Sequence, residues 1–416
     1  MSTTAIRHAF TRPPFSLPVS PHIVSFGLKT RRRGAKVRCR ALAVPPRQRR
    51  LIMILGIVGW ENSGKTTVFN ALTGAAAQTA SFSGSSGEAN MAVVKVPDPR
   101  LDFLSDKFKP KKKTHVELKV MDFAPFRKGQ GEKGFPAKHI ASLRSCDALL
   151  FVARGFDDES VPNPEDTVNP ARDIESLMLE LAFADLEVVE RRLSRIDESF
   201  SKSSKDERKK LEREKEFLLE VKTALEENGA FAVDGADEER LSIVRNYGLL
   251  TLKPIIAAVN VGDDSAGDAA EADRVRSALP APAPPVIALA GKLEMEIAGL
   301  DDSERAEFMS GLGISEPARD RILRLAWDRL GLIVFFTVGD DECRAWAIRR
   351  GDNAVTAAEK IHSDIARGFI RAETTAFDDF VAAGGFQGAK DAGRFRLEGK
   401  TYIVHDGDIL QFRFNV

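Results

Sequence analysis

The sequence predicts an α/β protein: a mostly parallel sheet covered by helices on both faces, with an α-helical hairpin inserted into it and a small α+β domain after it. Three observations predict this. In Leu51–Gly74, LIMILGIVGWENSGKTTVFNALTG, a short apolar run suited to a central strand meets a glycine-bounded loop, and Val68, Phe69 and Leu72 follow at helical spacing. Short apolar runs then alternate with helix-length segments as far as Leu330. Between them, Leu186, Val189, Leu193, Ile196 and Phe200 recur at the alternating intervals of a coiled-coil seam.

Residues 1–50 precede the first strand. No Asp or Glu occurs before Glu61, whereas Arg7, Arg12, Arg31, Arg32, Arg33, Arg38, Arg40, Arg47, Arg49 and Arg50 stand among several Ser and Thr. This is the composition of an organelle transit peptide. Val37-Arg38-Cys39-Arg40-Ala41 resembles the surroundings of chloroplast processing sites. The expectation is therefore the chloroplast stroma, with mitochondrion or cytoplasm as alternatives and a basic RNA-binding arm as the other reading of the leader. Over the 416 residues, Lys plus Arg and Asp plus Glu number 61 each, so net charge favours neither a nucleic-acid nor a membrane partner. No apolar run is long enough to span a bilayer. Cys39, Cys146 and Cys343 have neither metal nor redox spacing.

Residues 51–172 hold the first part of a nucleotide-binding domain. Gly59-Trp60-Glu61-Asn62-Ser63-Gly64-Lys65-Thr66 fits the phosphate-loop pattern G-x-x-x-x-G-K-S/T, with the strand and helix it requires on either side. Glycines allow the tight turn, backbone N–H groups point inward, and the helix N-terminus adds positive potential where phosphate oxygens would lie. The expected nucleotide-binding residues are Gly59, Asn62, Ser63, Gly64, Lys65, Thr66 and Thr67. Lys65 would neutralise the β and γ phosphates, and the Thr66 hydroxyl would meet a magnesium ion. Gln78–Asn90 reads as a loop, Val93–Val96 as a strand, Leu101–Phe108 as a helix, and Lys109–Lys113 as a solvated turn. Val116–Phe123 reads as a strand that carries Asp122 at its C-terminal end, where an acid near the phosphate loop suits magnesium. Ala148–Val152 is a further buried strand.

Residues 173–248 are highly charged and form the hairpin. The seam from Leu186 is continued by Leu211, Leu218, Val221 and Leu225, with the turn at Ser199–Ser204. Arms of about 25 residues would project on the order of 40 Å. In residues 249–330 the nucleotide domain resumes, with strands at Leu249–Val261 and Pro285–Ala290 and a helix over Arg305–Leu330. Residues 331–416 make the last domain, with a strand at Ile333–Thr337, a helix at Ala354–Ile365 and short strands through Asp406–Phe412.

The chain resembles the YchF-type, Obg-related P-loop NTPases from about Leu55 to Val416. The resemblance rests on Val96-Pro97-Asp98-Pro99-Arg100-Leu101, Glu180-Leu181-Ala182-Phe183-Ala184-Asp185-Leu186-Glu187, Arg344-Ala345-Trp346, Ile361-His362-Ser363-Asp364, Arg367 to Glu373 and the final Phe412-Arg413-Phe414-Asn415-Val416. It implies a Ras-like domain, an inserted helical hairpin and a C-terminal β-grasp TGS domain. It also implies GTP or ATP with Mg2+, slow hydrolysis by an organellar or stress-regulatory factor, and a ribosome or RNA partner met through the TGS domain and the helical arm. Neither DNA nor a membrane is expected. Asn260-Val261-Gly262-Asp263 stands where the family reads the base, and Asp263 would accept from a guanine. On this reading Lys65 and Asp122 serve catalysis, and Thr66, Ser86 and Asp122 hold the metal.

Several residues depart from the family pattern. Asp122-Phe123-Ala124-Pro125 replaces Asp-x-x-Gly, so proline removes the N–H that reaches the γ-phosphate. Phe126 takes the place of a water-orienting glutamine, as is usual in this family. Ser86 replaces the first-switch threonine. Trp60-Glu61-Asn62-Ser63 replaces Leu-Pro-Asn-Val and brings a negative charge towards the phosphates. The alternatives are therefore a hydrolysis-deficient nucleotide-binding scaffold or a TGS-mediated RNA-binding protein.

Overall fold

The structure, a computed structural model, describes residues 53–74, 90–124, 126, 137–163, 167–231, 233, 237–265 and 269–415. The expected transit segment, Ser86 and Pro125 lie outside them. Among the described residues the strands, in chain order, are β1 (Met53–Val58), β2 (Asn90–Val96), β3 (Lys112–Thr114), β4 (Val116–Asp122), β5 (Ala148–Gly155), β6 (Ile255–Val261), β7 (Val286–Leu289), β8 (Leu332–Thr337), β9 (Glu342–Arg349), β10 (Phe369–Ala376), β11 (Arg396–Glu398) and β12 (Asp408–Phe414).

The first sheet runs β2-β4-β1-β5-β6-β7, parallel throughout except where β2 pairs antiparallel with β4. Its central strands are continuous apolar runs because both faces are covered. Along β5, Ala148, Leu150 and Val152 enter one core while Leu149, Phe151 and Ala153 enter the other. β1, β5 and β6 therefore end side by side, and the loops that follow them share one edge of the sheet.

The hairpin begins with the helix Pro170–Phe200, opened by an Asn169 cap and by proline in its first turn. It returns as Lys205–Asn228, opened by a Ser204/Glu207 capping box and closed by Gly229 at φ 63°. With 31 residues, the first arm is about 46 Å long. Val189, Leu193 and Ile196 pack against Phe217, Leu218, Val221 and Leu225 along the seam. At the base, Asp185 is fully buried and accepts from the Leu250 and Thr251 amides at 2.9 and 2.8 Å, which ties the hairpin to the turn that precedes β6.

The single helix expected over Arg305–Leu330 is instead two, Asp302–Gly311 and Ala318–Arg329. Gly313 at φ 68° and Pro317 separate them, since neither that backbone conformation nor a proline continues a helix.

The second sheet runs β11-β10-β12-β8-β9-β3. Its edge strand β3 comes from the lysine run, whose lysines are exposed as expected but whose end is strand rather than turn: Lys112 and Thr114 pair parallel with Glu342 and Arg344 of β9. The lysine ammonium groups find acids there and nearby, Lys111 on Asp341 at 2.8 Å and Lys113 on Asp102 at 2.9 Å. The preceding helix, Pro99–Phe108, buries its aromatic face against the C-terminal segment. Phe103 meets Phe377 edge-on, and Phe108 packs on Phe380 and Phe386. One apolar cluster consequently runs from Leu55 and Val120 to Phe336 and Phe380.

Arg100 closes this joint. Its guanidinium binds Asp98 through Nε (3.1 Å) and Nη2 (2.9 Å), and Asp406 through Nη1 (2.8 Å). Asp406 in turn accepts from the Val334 amide of β8 at 2.8 Å.

Candidate functional site

β1 ends at Val58, and the next residues wrap back on themselves. Asn62 (φ 64°) and Gly64 (φ 85°) both take the left-handed conformation. A Cβ on Gly59 would lie 2.5 Å from the Val152 carbonyl oxygen, and one on Gly64 would lie 2.1 Å from Asn260 Nδ2. Both positions therefore need glycine. The helix Lys65–Thr73 follows directly, with Gly64 as its N-cap and no side-chain cap. Its first-turn amides have no partner within the helix and face outward as donors for an anion.

Lys65 is 5% exposed. Burial draws its pKa down, opposed by the nearby carboxylates of Asp122 and Glu61. Glu61, by sequence an obstacle to phosphate, thus also helps keep Lys65 charged. Asp122 enters from the end of β4, paired in register with Ile57. Its Oδ2 accepts from the Thr66 hydroxyl at 3.0 Å, and its Oδ1 is buried without a hydrogen bond. Burial pushes the Asp122 carboxyl up, opposed by Lys65 and the Thr66 hydroxyl.

A hydroxyl and a carboxylate in contact, with one buried oxygen still open, fit a hard dication that keeps waters and takes few protein ligands. Among the described residues no three His, Cys, Asp or Glu side chains converge, as an all-protein metal cage would require.

Ser63 is 2% exposed, and its hydroxyl is buried without a partner. Removing that orphan should stabilise the fold: Ser63→Ala is expected to raise the unfolding free energy by about 1 kcal/mol in a denaturant titration. A loss of stability would mean that the hydroxyl has a partner it depends on.

Asn260, at the end of β6, is buried and uses both ends of its amide. Nδ2 donates to the Ser63 carbonyl at 3.2 Å, and Oδ1 accepts from the Gly291 amide at 2.9 Å. It therefore clamps the phosphate loop to the start of the helix Gly291–Gly299 that follows β7. The structure thus gathers Gly59, Asn62, Ser63, Gly64, Lys65, Thr66, Asp122 and Asn260 at one edge of the sheet. Thr67 faces Gly291, where a Cβ would lie 3.2 Å from its methyl group. Asp263 sits exposed in the one-turn helix Asp263–Ser265 that follows β6.

Gly291 was not singled out by sequence. The available signal was Ala288-Leu289-Ala290-Gly291-Lys292, a second strand that runs into a glycine and a lysine. Phe126 is likewise placed by tertiary structure. Its backbone accepts from the Glu61 amide at 2.9 Å and donates to Gly59 at 3.3 Å, and its ring is buried edge-on to His139.

A phosphate loop heading a mostly parallel sheet, with an acid on the neighbouring strand and an asparagine clamp from β6, defines a P-loop nucleotide-binding protein of the GTPase class. The family described as 50S ribosome-binding GTPase matches residues 54–191, and the YchF GTPase C-terminal domain, described as a protein of unknown function, matches residues 332–415. The chain is 39% identical over 371 residues to the ribosome-binding ATPase YchF of Bacillus subtilis, a match covering 88% of this chain and 100% of that protein. It is 40% identical over 363 residues to the Escherichia coli O157:H7 protein of the same name, covering 87% and 99%. To the Obg-like ATPase 1 of Caenorhabditis elegans it is 33% identical, covering 87% and 92%. The solved structure of the Schizosaccharomyces pombe YchF GTPase superposes with a TM-score of 0.77 at 28% identity, covering 88% and 99%. The chain belongs to the YchF family.

Proposed function

We propose that this protein binds ATP or GTP with Mg2+ at the phosphate loop, hydrolyses it slowly and works in association with ribosomes. The observation that carries the reading is the cluster at the uncapped helix N-terminus: Lys65 buried within electrostatic reach of Asp122 and Glu61, with Thr66 hydrogen-bonded to Asp122. In phosphoryl transfer the protein's task is positioning and charge stabilisation. Lys65 and the first-turn amides would meet the negative charge that grows on the transferring group. Thr66, Asp122 and, from the first switch, Ser86 are the residues that would hold the magnesium ion, which when bound neutralises phosphate charge. Side-by-side titration of ATP, GTP, ADP and GDP tests the reading and decides the base. No measurable binding of any of the four at millimolar concentration would remove it.

A second reading, a nucleotide-binding scaffold without efficient hydrolysis, is favoured by Pro125 and by the acidic Glu61 within the phosphate loop. If the missing N–H limits the enzyme, Pro125→Gly should raise turnover or the preference for triphosphate over diphosphate about tenfold, in steady-state phosphate release and competition binding. Equal rates and affinities in the two proteins would acquit the proline.

The Bacillus subtilis and Escherichia coli relatives are called ribosome-binding, and the C-terminal sheet and the long hairpin offer two surfaces for such contact. Co-sedimentation with purified ribosomes, with and without nucleotide, tests it. The acid-free, arginine-rich leader supports import into the chloroplast, and a fluorescent protein fused behind residues 1–50 would report where it goes.

A further inference from the structure

Between the strand that leads into the phosphate loop and the strand that carries Asn260 near its end lies β5, and near the end of β5 is an arginine that none of the chemistry above uses. Arg154 is 5% exposed and stands in register with Asn260. Its guanidinium donates to four carbonyl oxygens of one short loop: Nε to Phe156 at 3.1 Å, Nη2 to Asp158 at 3.2 Å, and Nη1 to Val161 at 3.0 Å and Pro162 at 3.3 Å. It also stacks on the Phe156 ring, 4.5 Å from its centroid. A buried guanidinium must satisfy its fork of donors, and here main-chain oxygens do so by curling residues 156–162 around it.

That loop touches both halves of the nucleotide site. The Pro162 carbonyl that accepts from Arg154 also accepts from Asn62 Nδ2 of the phosphate loop, at 2.9 Å. At its other end, Asp158 is oriented by the Ser160 amide (2.9 Å) and lies 4.0 Å from the ammonium of Lys292, the neighbour of Gly291. Topology places the loop there: β5 lies between β1 and β6, and the crevice beyond the C-terminal ends of such strands is where ligands bind.

We propose that Arg154 is a positioning residue for the nucleotide. By holding the loop 156–162 in shape, it sets a wall that joins the phosphate side of the site to the Asn260–Gly291 side before any ligand arrives. Binding then does not have to order that loop. The inference rests on the nucleotide-binding reading above.

The test uses the full chain as wild type, Arg154→Lys and Phe156→Leu. It reads the dissociation constant of a fluorescent nucleotide analogue, single-turnover hydrolysis at saturation, melting temperature and backbone hydrogen exchange over 156–162. Lysine keeps the charge but loses the planar fork. Arg154→Lys is expected to weaken binding about tenfold while the saturated single-turnover rate changes less than about twofold. Exchange over 156–162 should be faster in the free variant and return to the wild-type level when nucleotide saturates. Phe156→Leu, which leaves the carbonyl bonds in place, should shift affinity in the same direction by about threefold and keeps the test open if Arg154→Lys does not fold. Variants with a lowered melting temperature but wild-type affinity would overturn the proposal and leave Arg154 a structural residue. Absence of binding by the wild type would remove the nucleotide reading itself, whereas wild-type binding with indifferent variants sinks only the wall.

Discussion

Lys65→Ala is expected to weaken triphosphate binding about 100-fold and to abolish nucleotide-dependent phosphate release at concentrations that saturate the wild type. Three features make the effect large. The ammonium is buried, so its attraction for phosphate is poorly screened by solvent. Its charge is held by Asp122 and Glu61 against the pull of burial. It also stands at the start of a helix whose first amides point the same way. Loss of Lys65 further removes a group that lowers the Asp122 pKa, so the carboxyl that would hold magnesium becomes harder to ionise. Alanine is a good helix former, and the fold should persist by circular dichroism. A folded Lys65→Ala protein that binds and releases like the wild type would contradict the assignment of the site.

Arg100→Met should cost about 3–5 kcal/mol of stability, the loss expected when one partner of a buried ion pair is removed. Asp98 and Asp406 flank the guanidinium closely enough to hold its pKa above the usual range despite burial. Burial already raises the Asp98 pKa, and without Arg100 nothing at the joint would oppose it as strongly. The sign with pH follows. A carboxyl whose pKa is higher folded than unfolded weakens the fold once it ionises, so the deficit of the variant should be largest at neutral pH and shrink as acid protonates Asp98. Denaturant titrations of both proteins at neutral and mildly acidic pH check this, and a deficit independent of pH would point to lost packing of Arg100 over Phe336 instead. Cutting the chain before β8 should be damaging for the same reason, since β3 and the helix Pro99–Phe108 would lose the sheet and the aromatic residues they pack on.

The phosphate loop was legible because its chemistry is local: Gly59, Gly64, Lys65 and Thr66 lie within one turn of chain, and the strand and helix on either side announce themselves by period. The hairpin was legible because a seam at intervals of three and four needs no partner outside itself. At Lys109–Lys113 charge correctly announced solvent exposure but hid an edge strand, because the strand that Lys112–Thr114 pairs with lies more than two hundred positions away. The break between Gly311 and Ala318 was written in Gly313 and Pro317 but was overridden by the apolar period on either side.

By itself the sequence determined the strands of the first sheet, the phosphate loop, the hairpin and the family resemblance, because each depends on residues close in the chain or on long contiguous motifs. Tertiary structure alone decided that Asp122 meets Thr66, that Asn260 clamps the phosphate loop to Gly291, that Arg154 shapes a loop beside both, and that Arg100 and β3 join the nucleotide domain to the C-terminal sheet. Those contacts join residues far apart in sequence, and their energies come from burial and hydrogen-bond geometry that only the packed chain creates.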